Sequence, residues 1–272
     1  MNSLRRLAIG LCLAASGLGL ASCATVPLTN RTQINFLPES QMVQLGQQAY
    51  QEQLKEYPLS TKPGDVEPVR RVGERLAAAT MDFLRANNLP TDVYQWEFSV
   101  IDNDEIANAT CLPGGKIVFY SGIFEYTKDE DGIATVMGHE IAHAIARHSN
   151  ERVSQMLLLE LGAATLSEAM ATQPARTREL AGQAFGLTTN LGVALPFNRA
   201  RESEADRIGL TLMAKAGYDP RKAVEFWERF SGAGKKAPEF LSTHPSGETR
   251  IADIQRHIPE AMQHYTGGYR VR

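Results

Sequence analysis

The tightest constraint on this chain is a five-residue run, His139-Glu140-Ile141-Ala142-His143, inside a stretch whose apolar residues Ile133, Val136, Met137, Ile141 and Ile145 recur at helical spacing. Four residues turn a helix by about 400°, so both imidazoles leave one face about one turn apart and can reach a single ion. Glu140 lies beside that ion without being forced to bind it. With only 6 histidines in 272 residues, a chance match to H-E-x-x-H is improbable. The competing reading, two histidines packed on a buried helix face, is told apart from a metal site by whether a third ligand exists. Thr127 followed by Glu130 has the form of a capping box and predicts where the helix begins.

Catalytic zinc takes three protein ligands and keeps a fourth position for water. A metzincin arrangement is excluded, because Ala146 and Ser149 stand where Gly and His would be required. His148, five residues after His143, falls about 140° further round a continuous helix and is expected to point elsewhere. A deformylase-type site would need an upstream cysteine in its own motif, which Cys111 lacks. The better candidate is the acidic run in Asn198-Arg199-Ala200-Arg201-Glu202-Ser203-Glu204-Ala205-Asp206, read as part of a helix from Arg201 to Ala216 that Gly217 stops. Glu202 and Asp206 are four apart on one face, which suits one carboxylate on the metal and a second on the outer nitrogen of a ligand histidine. Glu204 projects differently. Taken alone, acids interleaved with Arg199, Arg201 and Arg207 would read as a solvated face; the histidine pair tips the reading toward a metal site.

Other segments supply the frame. Glu39 to Gln53 and Val69 to Asn87 read as helices, with a loop from Pro58 to Pro68 between them. Trp96 to Ile101 and Lys116 to Tyr120 read as strands, the second after the turn Pro113-Gly114-Gly115. Residues 153 to 195 are helical in composition, with a break near Gln173-Pro174. This balance implies an α+β, mainly helical domain with a small β-sheet beside the H-E-x-x-H helix. A net charge of -3, from 28 basic and 31 acidic side chains, offers no positive field for nucleic acid.

The first 22 residues carry Arg5 and Arg6 and then an apolar run from Leu7 to Leu20, the pattern of a secretory signal and too short for the preferred reading as a membrane span. Leu20-Ala21-Ser22-Cys23 resembles a bacterial lipobox, which implies cleavage before Cys23 and diacylglycerol on its sulfur. Ala24, rather than Asp, after the cysteine implies the outer membrane, on its periplasmic face. The expected organisation is a signal peptide at 1–22, a lipidated tether at 23–38, one domain carrying the H-E-x-x-H run at 39–265 and a tail at 266–272.

Together the motifs resemble the membrane-associated zinc metallopeptidases of the HtpX, BepA and LoiP type, the family that includes the CAAX prenyl-protein proteases. The matching residues are Asn108-Ala109, Leu112-Pro113-Gly114-Gly115-Lys116-Ile117, the H-E-x-x-H run, Arg199, Glu202 with Ala205-Asp206, Leu241-Ser242-Thr243-His244-Pro245, and Arg250-Ile251. Ser203 stands where an aromatic is common and Asn198 where Ser is common. The resemblance implies a gluzincin-like domain with one Zn2+ per chain held by His139, His143 and Glu202, with Glu140 as catalytic base and Asp206 supporting a ligand. It also implies that His244 is a fourth ligand that shuts the site or a hydrogen-bond donor to the transition state. Gly115, Lys116, Ile117 and Val118 would form an edge strand that pairs with extended protein or peptide substrates.

The resulting expectation is a lipid-anchored zinc endopeptidase acting on misfolded or unassembled envelope proteins, with the outer-membrane assembly machinery as a candidate partner. The rival from another class is a chaperone-like assembly lipoprotein whose zinc site is structural or permanently shut. The roughly 60 residues after the Glu202 helix leave little room for the repeat array such a role would need.

Overall fold

Two helices touch backbone to backbone at a pair of glycines, and this contact organises the molecule. α3 (Glu130–Ile145) carries the histidine pair and α6 (Arg199–Lys215) the acidic run. A Cβ on Gly138 would sit 3.0 Å from the Gly209 carbonyl oxygen, and one on Gly209 would sit 2.9 Å from the His139 nitrogen. Only residues without side chains allow this approach, and it falls one residue before His139. The acids of α6 are thereby brought onto the histidine face of α3.

The computed structural model describes residues 23–161, 174–185, 199–232, 240–241, 244 and 248–267. The expected signal peptide at 1–22, Asn198, Pro245 and tail residues 268–272 lie outside the described residues. Around α3 the chain is an α+β, mainly helical assembly: α1 (Glu39–Glu56), α2 (Pro63–Ala86), α4 (His148–Leu161), α5 (Pro174–Ala184), α7 (Lys222–Ser231) and α8 (Glu248–Met262). A hairpin, β1 (Cys23–Thr25) with β2 (Thr32–Ile34), precedes them, and a sheet of β3 (Glu97–Ile101), β4 (Ala109–Leu112) and β5 (Lys116–Tyr120) lies beside α3. One core joins α2, α3, α6 and α7 to the sheet through Val72, Leu76, Ile117, Met137, Ile141, Leu212 and Phe226; a second lies among α1, α4 and α5. No helix among the described residues is long and apolar enough to cross a membrane.

Four expectations need correction. α3 is capped by Asp129, whose side chain accepts from the Gly132 N–H at 2.9 Å; Thr127 instead ends a preceding single turn, Phe124–Thr127, and Lys128 takes φ 65°. α2 starts at Pro63 and runs through Pro68, six residues earlier than read from the prolines. Pro63 occupies the first turn, where its missing N–H costs nothing, and the Gly64 carbonyl that Pro68 leaves unpaired belongs to an exposed residue.

The third correction concerns the tether expected at residues 23–38. These residues contain the β1–β2 hairpin, register Cys23 to Ile34 and Thr25 to Thr32, with Val26 buried in the main core. Its turn uses Leu28 and Asn30 at positive φ, which periodicity does not signal. The fourth concerns the strand expected to receive substrate, Gly115, Lys116, Ile117 and Val118. β5 is the central strand, parallel to β3 on one side and antiparallel to β4 on the other, and all five of its residues are buried. Its ladder positions are already used, so β5 is no edge; among the described residues β4 has only one neighbouring strand.

Candidate metal centre

On α3, His139 and His143 converge with Glu202 from α6 and with His244. One ligand atom from each of the four lies within 4.8 Å of all the others, and all four residues are buried. The Nε2 atoms of His139 and His143 are 3.0 Å apart. Glu202 places Oε1 3.3 Å from His143 Nε2 and Oε2 3.4 Å from His139 Nε2. His244 Nδ1 is 3.2 Å from both His139 Nε2 and Glu202 Oε1. Atoms about 2.0–2.2 Å from a tetrahedral ion are separated from each other by roughly 3.3–3.6 Å, so a slight outward movement of the side chains from this spacing fits a zinc-sized cation. Zinc is the cofactor that this nitrogen and carboxylate set suits.

The charge around the cluster points the same way. Glu140 is buried beside it, with Oε1 3.4 Å from His244 Nε2 and no hydrogen-bond partner for that oxygen among the described residues. Burial pushes the Glu140 carboxyl above its usual range, with His244 and His139 opposing. For Glu202 burial also opposes ionisation, but His244, His139 and His143 outweigh it and hold the carboxylate well below its usual range. Burial alone would keep His139 neutral, yet Asp206 and Glu202 raise it to about 9. His143, lacking a carboxylate on its outer side, is driven well below the usual range by burial. The acids thus make a field that favours a cation at the centre.

Each of the two α3 histidines is held from behind. His139 Nδ1 meets Asp206 Oδ1 at 2.8 Å, and Arg250 on α8 clamps that carboxylate with Nε and Nη2, each at 2.9 Å, while its Nη1 donates to Glu202 Oε2 at 2.9 Å. The guanidinium of Arg250 lies 3.5 Å over the Trp227 ring, and Trp227 and Phe240 pack edge-on to His139. His143 Nδ1 meets His148 Nδ1 at 2.8 Å, and His148 Nε2 meets Glu204 Oε2 at 3.1 Å. His148 therefore does not point away as expected. α3 ends at Ile145, Arg147 adopts φ 58°, and the new helix α4 swings His148 back behind His143.

His244 stacks on Phe240 with ring centroids 4.4 Å apart, and the Phe240 N–H donates to the Ala107 carbonyl just before β4. Cys111 on β4 is a buried free thiol, and its backbone N–H faces the Glu140 carboxylate. The edge of β4, not β5, thus adjoins the cluster. Reading the sequence missed His148 and Glu204 as a support; Arg250 entered only as part of a resemblance, although one cation within reach of two buried acids is the signal that could have placed it.

Comparison with known proteins agrees with the geometry. The family model described as Peptidase family M48 matches residues 66–258. The mitochondrial metalloendopeptidase OMA1 of Schizosaccharomyces pombe is 38% identical over 249 residues, covering 87% of this chain and 67% of that protein. Its counterpart in Bos taurus is 32% identical over 249 residues, 87% of this chain and 46% of the relative. The beta-barrel assembly-enhancing protease of Escherichia coli is 31% identical over 242 residues, 86% of this chain and 47% of that protein. The chain spans about half to two thirds of the length of these three relatives. A family match that runs from α2 into α8, and so contains the histidine pair, Glu202, Asp206, His244 and Arg250, shows that this chain belongs to peptidase family M48.

Proposed function

We propose that the protein is a zinc-dependent endopeptidase in which His139, His143 and Glu202 hold the metal and Glu140 is the catalytic base. The observation that carries this reading is the convergence of the four buried ligand atoms beside a carboxylate oxygen that has no hydrogen-bond partner among the described residues. Bound zinc would supply Lewis acidity, polarising a carbonyl and bringing the pKa of a water to about 7. Glu140 accepts the proton from the attacking water and returns it to the leaving nitrogen. Its burial keeps its basicity closer to that task than an exposed glutamate's. Asp206 fixes the tautomer of His139 so that Nε2 keeps its lone pair for the metal.

Substrate is an extended polypeptide that adds to the open side of β4. In the register of β4 with β5, Ala109 and Cys111 turn their peptide groups away from β5, and Cys111 is the residue beside Glu140. Phe240, whose N–H donates to the Ala107 carbonyl, and His244, seated in the cluster, stand beside that approach. In the proposed function His244 is a fourth ligand that holds the enzyme latent and leaves when substrate or a partner displaces it.

The site of action is the periplasmic face of a bacterial outer membrane, with the chain anchored through lipidated Cys23. Support comes from the leader pattern ending at Cys23 and from Ile34, which pairs with Cys23 and is one of two large apolar side chains exposed among the described residues. Substrates are misfolded or unassembled envelope proteins. The name of the Escherichia coli relative favours work beside the β-barrel assembly machinery, whereas the OMA1 relatives are named as mitochondrial. A chaperone-like role with a permanently shut centre is the second reading, favoured by the seating of His244 in the cluster.

The test is cleavage of casein by wild type, His244→Ala and the double variant His244→Ala/Glu140→Gln, with and without chelator. The proposal expects chelator-sensitive cleavage that rises in His244→Ala and vanishes in the double variant with zinc retained. Cleavage that survives the loss of Glu140 would refute the mechanism, and silence of both wild type and His244→Ala would favour the scaffold.

A further inference from the structure

The N-terminal hairpin does more than cover the core. Arg31, just before the return strand, donates from Nε to Glu204 Oε2 at 2.8 Å and from Nη1 and Nη2 to the two oxygens of Glu151 at 2.8 and 2.9 Å. Thr29, in the turn, donates to the other oxygen of Glu204. Gln33, only 2% exposed, donates to the Ala146 carbonyl at 2.9 Å, at the end of the helix that carries both histidines. Beneath these contacts runs the series Glu204, His148, His143, with His148 wholly buried.

The hydrogen atoms in that series can be ordered in one way. If Nε2 of His143 faces the metal with its lone pair, the ring's proton sits on Nδ1 and is donated to Nδ1 of His148. His148 must then carry its own proton on Nε2, which it donates to Glu204. Glu204 has to be an acceptor only, and two donors from the hairpin keep it ionised and fixed in place. A single carboxylate thus sets the tautomer and tilt of His143 through one intervening imidazole, and the hairpin sets the carboxylate.

We propose that Arg31 and Thr29 are positioning residues of the metal centre, so that the β1–β2 hairpin is a working part of it. This rests on the reading of His143 as a zinc ligand. It has a mechanical consequence: Cys23, the residue expected to carry the acyl chains, pairs in the same hairpin, so the anchor and the ligand geometry share one two-stranded element.

The experiment uses the purified full-length protein and two probes, zinc affinity by competition with a chromophoric chelator and the visible absorption of the cobalt(II)-substituted protein. Arg31→Met is expected to weaken zinc about 10- to 100-fold, as loss of outer support to a ligand does, and to shift the cobalt bands. Arg207→Met, which removes a pair with Glu260 elsewhere on α6, is expected to change neither. Combined with Glu204→Gln, Arg31→Met should add nothing to the loss that Glu204→Gln causes alone; fully additive losses would overturn the proposal. If Arg31→Met does not fold, Thr29→Val decides, with an expected loss on the order of threefold and a cobalt shift in the same direction. Zinc affinity and cobalt spectrum identical to wild type in folded Arg31→Met, or in Thr29→Val if it decides, would overturn the role of the hairpin. A wild-type protein that binds no zinc would instead refute the reading of the ligands.

Discussion

His139 and His143 leave the same helix one turn apart, yet they are steadied by different means. Behind His139 stands one carboxylate, Asp206, gripped by the buried Arg250. Behind His143 stand a second imidazole, His148, and then Glu204, gripped by Arg31 from the far end of the chain. The first support is short, fully buried and made by helices of the domain itself; the second is longer and ends on a side chain that is 30% exposed. A buried ion pair is costly to break, and a relay reaching the surface is easier to perturb. The His139 side should therefore act as the fixed post of the centre and the His143 side as its adjustable one.

The largest break in this comparison should come from Arg250→Met. It strands Asp206 and Glu202 without their shared cation, and the expected loss is about 3–5 kcal/mol of stability in chemical denaturation. Asp206→Asn keeps the shape but removes the charge behind His139, and it should weaken zinc roughly 10- to 100-fold by chelator competition. Gly209→Ala strikes both posts at once, because its methyl would meet the α3 backbone at 2.9 Å. We expect a stability loss of about 1–3 kcal/mol, with zinc affinity lowered by the separation of α6 from α3.

The smallest effect concerns acid. Burial opposes the ionisation of Glu204, but His148, Thr29 and Arg31 outweigh it and lower its pKa. A carboxyl lowered in the folded state contributes stability that is complete above its unfolded value, about 4.3, and is lost as pH falls through the folded one. Glu204→Gln should flatten that part of the acid melting curve of chelator-treated protein. An unchanged slope would mean that the hairpin contributes nothing electrostatically there.

The two posts also differed in how far they could be read from sequence. Asp206 was accessible because it follows Glu202 by one helical turn, and periodicity survives without any knowledge of the fold. His148 was not, because a helix continuing past Ile145 would turn it away; the left-handed Arg147 breaks that helix, and nothing in the residue type announces φ 58°. The hairpin was hidden for the same reason, since Leu28 and Asn30 make its turn with non-glycine residues at positive φ. Strands β3 and β5 were legible from alternation and β-branching, but β4 and the order of the sheet were not. Placing β5 between β3 and β4 depends on pairing across the chain, which local pattern does not encode. The α+β class and the histidine helix could be read because each depends on spacing within a single element.

Metal content measured on purified variants tests the central claim most directly. One zinc per chain in the wild type and in Glu140→Gln, with little or none in His139→Ala, His143→Ala and Glu202→Ala, is the predicted result. Full zinc retained after the loss of both His139 and His143 would place the ion elsewhere and contradict the account.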